Sequence, residues 1–283
     1  MKRYVIYSAL VGNYDEILQP LVEDERFDFV LFTDIITKDR VGVWQVRPIE
    51  YHNDDNTRIC RYVKTHPEIL LPDYAVSVWI DSNIQIIDGF IYDRIIELDR
   101  EGILFSSMWH PSRNCIYQEA FAVVNMMVEH ERTVVDWCHY LRKKRYPKDN
   151  GLCETNVMFR KHINPLVHET DMLWWDSIDR FSRRDQLSYN YSLWENGIPC
   201  HFFLGEGNNA RNTDHLCVVM HKDIQHNHCP IRKNEAWLMR HCWKKTEDTD
   251  KIAHIYYCLY AFPLPRFWVA IVGQYYRIRD RIG

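Results

Sequence analysis

The sequence predicts a mixed α/β fold with a mostly parallel central sheet flanked by helices. Short apolar, β-branched runs alternate with segments of helical periodicity through the first half of the chain. Hydrophobic residues make up 46% of the chain and charged residues 26%, which is typical of a globular protein with a full core. Because we find no repeat, low-complexity tract or long linker, we predict one domain over residues 1–250 and a helical tail over 251–283.

The strands are predicted from apolar runs of strand length that end in polar or turn-forming residues. The first half of the chain has such runs at Tyr4–Val11, Phe27–Thr33, Val43–Pro48, Ala75–Ile80 and Ile103–Ser107. Two shorter runs, at 198–204 and 216–220, predict further strands. Ligands of parallel α/β sheets bind beyond the carboxyl ends of the strands, so the polar residues that follow these runs are candidate site residues.

The helices are predicted from amphipathic periodicity between the strands. They are expected at Asp15–Glu23, Asp55–Leu70, Tyr92–Asp99 and, as one long helical stretch, Tyr117–Arg145. Ser182 followed by Asp185 resembles a capping box and predicts the start of another helix, which Gly197 would end.

Charge and cysteine content limit the classes of function. The formal net charge of −4 argues against a general nucleic-acid-binding protein. Nine cysteines without a C-x-x-C pair favour free thiols in a reducing compartment. The apolar run near the N-terminus lacks a small-residue cleavage site and is interpreted as the first strand, so we expect a cytoplasmic protein.

The predicted tail is aromatic and basic. No window of eighteen uncharged apolar residues occurs, so no membrane span is expected. Within Arg266–Gly283, apolar residues such as Trp268 and Tyr275 recur at helical spacing beside several arginines. Two interpretations stay open: a helix lying on an anionic inner membrane face, or a helix packed on the domain.

Asp81 and Asn83 follow a strand directly and flank a tight turn. Mg²⁺ and Mn²⁺ prefer oxygen ligands of this kind and often share them with substrate phosphates. The alternative is an ordinary turn, in which Asp and Asn are common. His221, just past the last predicted strand, is a further candidate ligand or a structural histidine.

Three cations at spacings of three residues, Arg58, Arg61 and Lys64, predict a basic helix face. A diphosphate would explain it, because arginine binds phosphate bidentately and lysine acts as a point charge. A solvated basic face is the alternative. The sequence has neither a G-x-G-x-x-G nor a P-loop motif.

Two acids are candidate bases. A transfer to a hydroxyl needs a carboxylate within hydrogen-bonding reach of the attacking oxygen, and Asp185 and Glu154 are the candidates. Helix capping is the alternative for Asp185, and solvent exposure for Glu154. The adjacent Trp174 and Trp175 are interpreted as a sugar-binding wall or as core; if they lie in a strand, at most one faces a ligand.

An ordered set of motifs resembles a known family. The set comprises YSALVGNYD, FVLFTD, the R-x-x-R-x-x-K helix, YAVSVWIDSNIQI, WHPSRNCIYQEA, GLCETNVMFRKH and the segment from WW to RFSRRDQLSYNYSLW. Over residues 4–225 the chain resembles a glycosyltransferase-like family that includes plant cell-wall and mucilage proteins and bacterial polysaccharide enzymes. The family is similar to GT-A glycosyltransferases, which use a nucleotide-sugar donor, usually with Mn²⁺ or Mg²⁺.

The resemblance implies roles for individual residues. The divalent cation would be held by Asp81, Asn83 and His221. The donor would contact Ala9, Val11, Asn13, Tyr14, Asp34, Arg58, Arg61, Lys64, Asp81 and Ser82. The base would be Asp185, with Glu154 as the second acid. The acceptor would contact Trp174, Trp175, His110 and Arg184.

The resulting hypothesis is an inverting, metal-assisted hexosyltransferase. It would move a hexose from a nucleotide sugar, such as UDP-galactose in pyranose or furanose form, to a hydroxyl of a surface polysaccharide or lipid-linked glycan. Lipopolysaccharide and capsule are the expected products. Three alternatives remain: an inactive nucleotide-sugar- or glycan-binding module, a nucleotidyltransferase, and an interaction protein with structural zinc. The candidate zinc ligands are His221, His226, His228, Cys229, His241 and Cys242.

Overall fold

The computed structural model describes residues 3–126 and 128–222. Seven strands form the central sheet and two form a small second sheet. The strands are β1 Tyr4–Leu10, β2 Phe27–Thr33, β3 Arg40–Val41, β4 Trp44–Pro48, β5 Val76–Ile80, β6 Ile84–Ile86, β7 Phe105–Trp109, β8 Cys153–Arg160 and β9 Leu216–Val218.

The central sheet has the strand order β3-β4-β2-β1-β5-β8-β7. Strands β1, β2, β4 and β5 are parallel to one another. Strand β8 is antiparallel to both β5 and β7, and β3 is antiparallel to β4. The sheet is therefore mixed with a parallel centre, which confirms the predicted fold class.

Helices cover both faces of this sheet. They are α1 Asn56–Thr65, α2 Pro67–Leu70, α3 Phe90–Arg100, α4 Ile116–Asn125, α5 Glu131–Lys143, α6 Pro165–Arg180 and α7 Gln186–Glu195. Successive side chains of a strand point to opposite faces, and in β1 both sets are buried. Ile6 and Leu10 belong to the cluster with α3, whereas Val5 and Tyr7 belong to the cluster with α1, α6 and α7.

A third apolar cluster joins α4, α5 and α7 beside the sheet. Trp137 of α5 is fully buried there and donates its indole N–H to the Leu187 carbonyl at 2.9 Å. This contact fixes the start of α7 from one side. The position of α7 matters because the residue before it, Asp185, lies in the cleft described below.

Four helix predictions need correction, one of them the start at Ser182, because α7 begins only at Gln186. The segment 15–23 is not helical: Leu18 and Leu21 donate backbone N–H groups to the carbonyls of Ser82 and Ile86, and Pro20 has no N–H. The predicted helix Asp55–Leu70 is divided at His66, because Pro67 starts the short helix α2 instead of continuing α1. The stretch Tyr117–Arg145 forms two helices, α4 and α5.

The last two strand predictions have different outcomes. The run at 216–220 contains β9, which pairs with β6 in the small sheet. The run at 198–204 forms no strand and contributes a single bridge between Phe202 and Ser107. The tail predicted for 251–283 lies outside the described residues, as do the candidate zinc ligands beyond position 222. Across the described ranges, no helix is long and apolar enough to cross a bilayer.

Candidate active site

A cleft opens at the carboxyl ends of β1 and β5 and extends between α1, β8 and the start of α7; we call it the central cleft. This is where ligands of open α/β sheets bind. It brings together many residues that the sequence predicted from distant segments. These are Ala9, Val11, Tyr14, Arg61, Lys64, Asp81, Ser82, Glu154, Arg184, Asp185 and His221.

The turn after β1 shapes one wall of the central cleft. Gly12 and Asn13 both adopt left-handed backbone conformations, with φ of 65° and 58°. The Gly12 N–H donates a hydrogen bond to Asp34 Oδ1 at 3.0 Å. Asp34 therefore fixes the turn from outside, and neither it nor Asn13 lines the cleft.

A buried charge network crosses the floor of the cleft around Asp185. Lys64 Nζ donates to Asp185 Oδ2 at 2.6 Å, and Arg61 Nε lies 3.2 Å from Oδ1. The Thr155 hydroxyl donates to the same Oδ2 at 2.8 Å. Lys64 also lies 3.8 Å from Asp81, and its side chain is only 1% exposed. Asp185 thus joins helix α1 to strand β8 inside the cleft.

This network determines the ionisation of Asp185. Burial by itself raises the pKa of that carboxyl, but the charges of Arg61 and Lys64 together lower the pKa well below its usual range. Burial lowers the pKa of the Lys64 ammonium, and the two carboxylates oppose that shift. Asp185 is therefore ionised at neutral pH. It makes no capping hydrogen bond to α7, so the predicted capping interaction is wrong.

Glu154 forms a second, more accessible ion pair. It lies in strand β8 and is only 9% exposed, so the alternative of simple solvent exposure is wrong. Both of its carboxylate oxygens accept from Arg211 Nη1, at 2.7 and 2.6 Å. The Arg211 side chain is 53% exposed, whereas Lys64 is enclosed. Solvent or substrate therefore reaches the Glu154 pair more readily than the Asp185 pair.

Asp15 organises the third group of charges. His221 Nδ1 lies 2.6 Å from Asp15 Oδ2, and this hydrogen bond raises the pKa of the imidazole. The Ser82 hydroxyl donates to the same oxygen at 3.4 Å, and the Lys222 N–H donates to Oδ1 at 3.2 Å. The carboxylate of Asp15 thus ties the segment after β9 to the turn after β5.

The predicted cation ligands do not come together as a set. Asn83 donates its amide to the Val219 carbonyl at 2.7 Å and does not line the cleft. Asp81 Oδ1 accepts from the Trp79 indole N–H at 2.7 Å, and His221 is held by Asp15. Within residues 3–126 and 128–222, no group of three His, Cys, Asp or Glu side chains has the arrangement of a metal site. Of the three predicted ligands, Asp81 and His221 line the central cleft and Asn83 does not.

Arg58 does not reach the cleft with the other two cations of α1. Its guanidinium donates to the carbonyls of Ile178, Asp179 and Phe181 at the end of α6. A helix turns about 100° per residue, so Arg58 and Lys64, six residues apart, lie about 120° apart around α1. Two cations three residues apart therefore share one face of α1, but all three cations do not.

Three predicted acceptor residues lie away from the cleft. Trp174 and Trp175 belong to helix α6 and not to a strand. Trp174 is 1% exposed and donates its N–H to the Asp185 carbonyl, and the Trp175 ring packs edge-on against Tyr62. His110 is buried beyond β7, where Nδ1 accepts from two backbone N–H groups and burial lowers its pKa to about 4.

The cleft also contains residues that the sequence analysis did not assign. Asp15 is the last residue of the motif YSALVGNYD, and Thr155 lies in the motif GLCETNVMFRKH, so the sequence offered a signal for both. Arg211 is an isolated cation in a loop without periodicity and carries no sequence signal. The remaining unassigned lining residues are Leu10, Asn56, Thr57, Cys60, Trp79, Asn156 and Gln186.

A parallel sheet centre with a charged cleft at its strand ends defines an α/β protein with a polar ligand site. Comparison with known families identifies the class further. The chain belongs to the TOD1/MUCI70 family, whose glycosyltransferase-like domain matches residues 1–206.

Individual relatives are more distant. The chain is 24% identical over 216 residues to a protein of Arabidopsis thaliana named "Probable hexosyltransferase MUCI70", covering 66% of this chain and 36% of that protein. The chain thus spans about a third of this relative's length.

Two solved structures are also similar. The WbbM bifunctional glycosyltransferase, in its apo form, matches with a TM-score of 0.41 and 10% identity over 71% of this chain and 38% of its own. Mouse xyloside xylosyltransferase 1, also in its apo form, matches with a TM-score of 0.31 and 8% identity over 73% and 79%.

Proposed function

We propose that the protein is a hexosyltransferase that uses a nucleotide-sugar donor. The observation that carries the proposal is the central cleft: a charged pocket at the strand ends of a chain that belongs to a glycosyltransferase-like family. A UDP-hexose, such as UDP-galactose in pyranose or furanose form, is the proposed donor. A hydroxyl of a growing surface polysaccharide or lipid-linked glycan is the proposed acceptor, as in lipopolysaccharide or capsule assembly.

The proposed reaction is a single displacement. The acceptor hydroxyl oxygen attacks the anomeric carbon, the bond from that carbon to the diphosphate breaks, and the hydroxyl proton passes to a carboxylate. Between the two predicted bases, Glu154 suits this role better, because its partner Arg211 is half exposed and a substrate can displace it. Asp185 is a weaker proton acceptor, since Arg61 and Lys64 stabilise its charged form.

The stereochemistry follows from this mechanism. One displacement inverts the configuration at the anomeric carbon, which NMR of the product anomer measures directly. Retention would contradict a single carboxylate base. A divalent cation, Mn²⁺ or Mg²⁺, belongs to the proposal, and titration of either ion into the purified protein by calorimetry tests it. Cytoplasmic location, with the tail on the inner membrane face, completes the proposal.

The first experiment is a donor screen. Nucleotide sugars with different bases and hexoses are added to the purified protein, and the shift in its unfolding temperature is measured, because a bound ligand stabilises the folded state. The donor that shifts it most is then incubated with the protein, and release of the nucleoside diphosphate is followed. Glu154→Gln should abolish release while keeping the temperature shift. The absence of a shift with every donor would overturn the proposal.

A second candidate is a nucleotide-sugar-binding protein without catalysis. It is favoured by a specific feature of the described part of the central cleft: each of its carboxylates already contacts a cationic side chain. Asp15 contacts His221, Glu154 contacts Arg211, and Asp185 and Asp81 share Lys64. Binding of a donor without release of the nucleoside diphosphate, with or without acceptors, would favour this candidate.

A further inference from the structure

The central cleft contains one arginine, Arg184, that makes no ion pair with the described residues, whereas the other cationic side chains of the lining each lie close to a carboxylate. Four cationic side chains of its lining lie close to a carboxylate. Lys64 and Arg61 lie 2.6 and 3.2 Å from Asp185, Arg211 lies 2.6 Å from Glu154, and His221 lies 2.6 Å from Asp15. Arg184 also lines the cleft, but no carboxylate of the described residues lies within 4.0 Å of its guanidinium.

Arg184 also carries a hydrogen-bond donor that the protein leaves unused. Its Nε is shielded from solvent and has no hydrogen-bond partner among the described atoms; Arg61 Nε has none either, but it lies 3.2 Å from the Asp185 carboxylate. A buried donor without an acceptor is costly, so such a group is expected where a ligand supplies the acceptor. The unpaired charge and the unused donor belong to the same guanidinium.

The backbone that carries Arg184 is fixed on both sides. The Arg184 N–H donates to the Ser182 hydroxyl oxygen at 3.0 Å, and that hydroxyl donates to Glu129 at 2.6 Å. The next residue, Asp185, is held through its carbonyl by the Trp174 indole and through its carboxylate by Lys64. Arg184 is therefore presented to the cleft from a backbone that binding does not have to order.

The α1 cations are poor candidates for direct contact with an anionic ligand. If Lys64 or Arg61 turned to a diphosphate, Asp185 would keep its buried charge with fewer partners, which is unfavourable. Arg184 acts on Asp185 only through its charge at longer range and makes no direct ion pair with it, so contact with a ligand breaks no such pair. A guanidinium also matches phosphate oxygens with two parallel N–H donors.

We propose that Arg184 binds the diphosphate of the nucleotide-sugar donor. This assignment rests on the proposed function. It moves Arg184 from the acceptor side, where the resemblance had placed it, to the leaving group of the reaction. Charge that develops on the departing diphosphate would then be stabilised by a guanidinium already in place.

Calorimetry with nucleoside diphosphates and the matching nucleosides tests the assignment. UDP, GDP, ADP and CDP are titrated into wild type, and the best binder and its nucleoside are then titrated into the variants. Arg184→Gln should lose roughly 10- to 100-fold in affinity for the diphosphate, the equivalent of one charge-assisted contact, and keep its affinity for the nucleoside. Arg184→Lys should recover only part of the loss, because an ammonium cannot form the fork.

The neighbouring arginine provides a matched control. Arg183 pairs with Asp55 at 3.2 Å and does not line the cleft, so Arg183→Gln should bind the diphosphate like wild type. Unfolding temperatures of all variants establish that they are folded. Equal diphosphate affinity in Arg184→Gln and wild type would overturn the assignment and leave the proposed function intact. If wild type binds none of the four diphosphates, both the proposed function and this inference are wrong.

Discussion

Asp185 shows how a residue can be located correctly from sequence while its surroundings are not foreseen. The motif RRDQLS predicts a helix start at Ser182 with Asp185 in its first turn, whereas Asp185 lies just before α7 and lines the central cleft. Its partners, Lys64 and Arg61, lie more than a hundred residues earlier on another helix. Contacts of this kind depend on the packing of α1 against the sheet, which local patterns do not specify.

The charge of Asp185 should matter for stability as well as for activity. Asp185→Asn leaves Lys64 and Arg61 buried without their carboxylate, and breaking a buried pair in this way costs about 3–5 kcal/mol of unfolding free energy. Glu154→Gln removes a carboxylate whose partner is half exposed, so its cost should stay below about 1 kcal/mol. Urea denaturation of the two variants measures both. An Asp185→Asn variant as stable as wild type but inactive would instead support Asp185 as the base.

At the scale of elements, the turn after β1, which lies against the start of α1, connects local backbone conformation to the cleft. The first strand is followed by the polar residues GNYD, and Gly12 and Asn13 form a turn there. A Cβ at Gly12 would overlap the Asn56 amide, and Asn56 is both the first residue of α1 and part of the cleft lining. The sequence could predict the turn, but not that a helix begins against it.

Gly12→Ala and Gly102→Ala should therefore lose similar stability, but only Gly12→Ala should weaken ligand binding. Gly102 also has a positive φ, of 77° against 65° for Gly12, but its Cβ would meet nothing. Each alanine variant should lose about 1–2 kcal/mol of unfolding free energy from the left-handed backbone. Gly12→Ala should also displace Asn56 and weaken nucleoside diphosphate binding roughly two- to tenfold, the equivalent of one hydrogen bond. Calorimetry gives the affinities, and equal affinities in the two variants would contradict the role of Asn56.

At the scale of the whole molecule, the parallel centre of the sheet and most of its strands were predictable, because buried strands have a strong apolar pattern. The antiparallel insertion of β8 between β5 and β7 was not, since strand order depends on contacts far apart in the sequence. That insertion brings Glu154 and Thr155 to the floor of the cleft beside β5. The sequence could thus predict that the candidate site lies at the ends of certain strands, but it could not predict the ion pairs within the site.

Buried histidines should make the stability of the whole protein depend on pH. Burial lowers the pKa of His66, His110 and His162 from 6.5 to about 4 in each case. Between these values the unfolded chain binds more protons than the folded protein, so the unfolding free energy should fall as pH decreases from about 6.5 to 4. Each histidine contributes a slope of about 1.4 kcal/mol per pH unit near the middle of this window.

Urea denaturation at a series of pH values measures this dependence, and NMR of the imidazole protons identifies the groups. Replacing one of the three, for example in His162→Gln, should reduce the slope by about 1.4 kcal/mol per pH unit. The lowered pKa of Asp185 acts in the same direction but below about pH 4, where the unfolded chain takes up its proton, so the two contributions separate on the pH axis. If the unfolding free energy did not change between pH 4 and 6.5, the three rings would take up protons equally in the folded and unfolded protein, which would contradict their lowered pKa values.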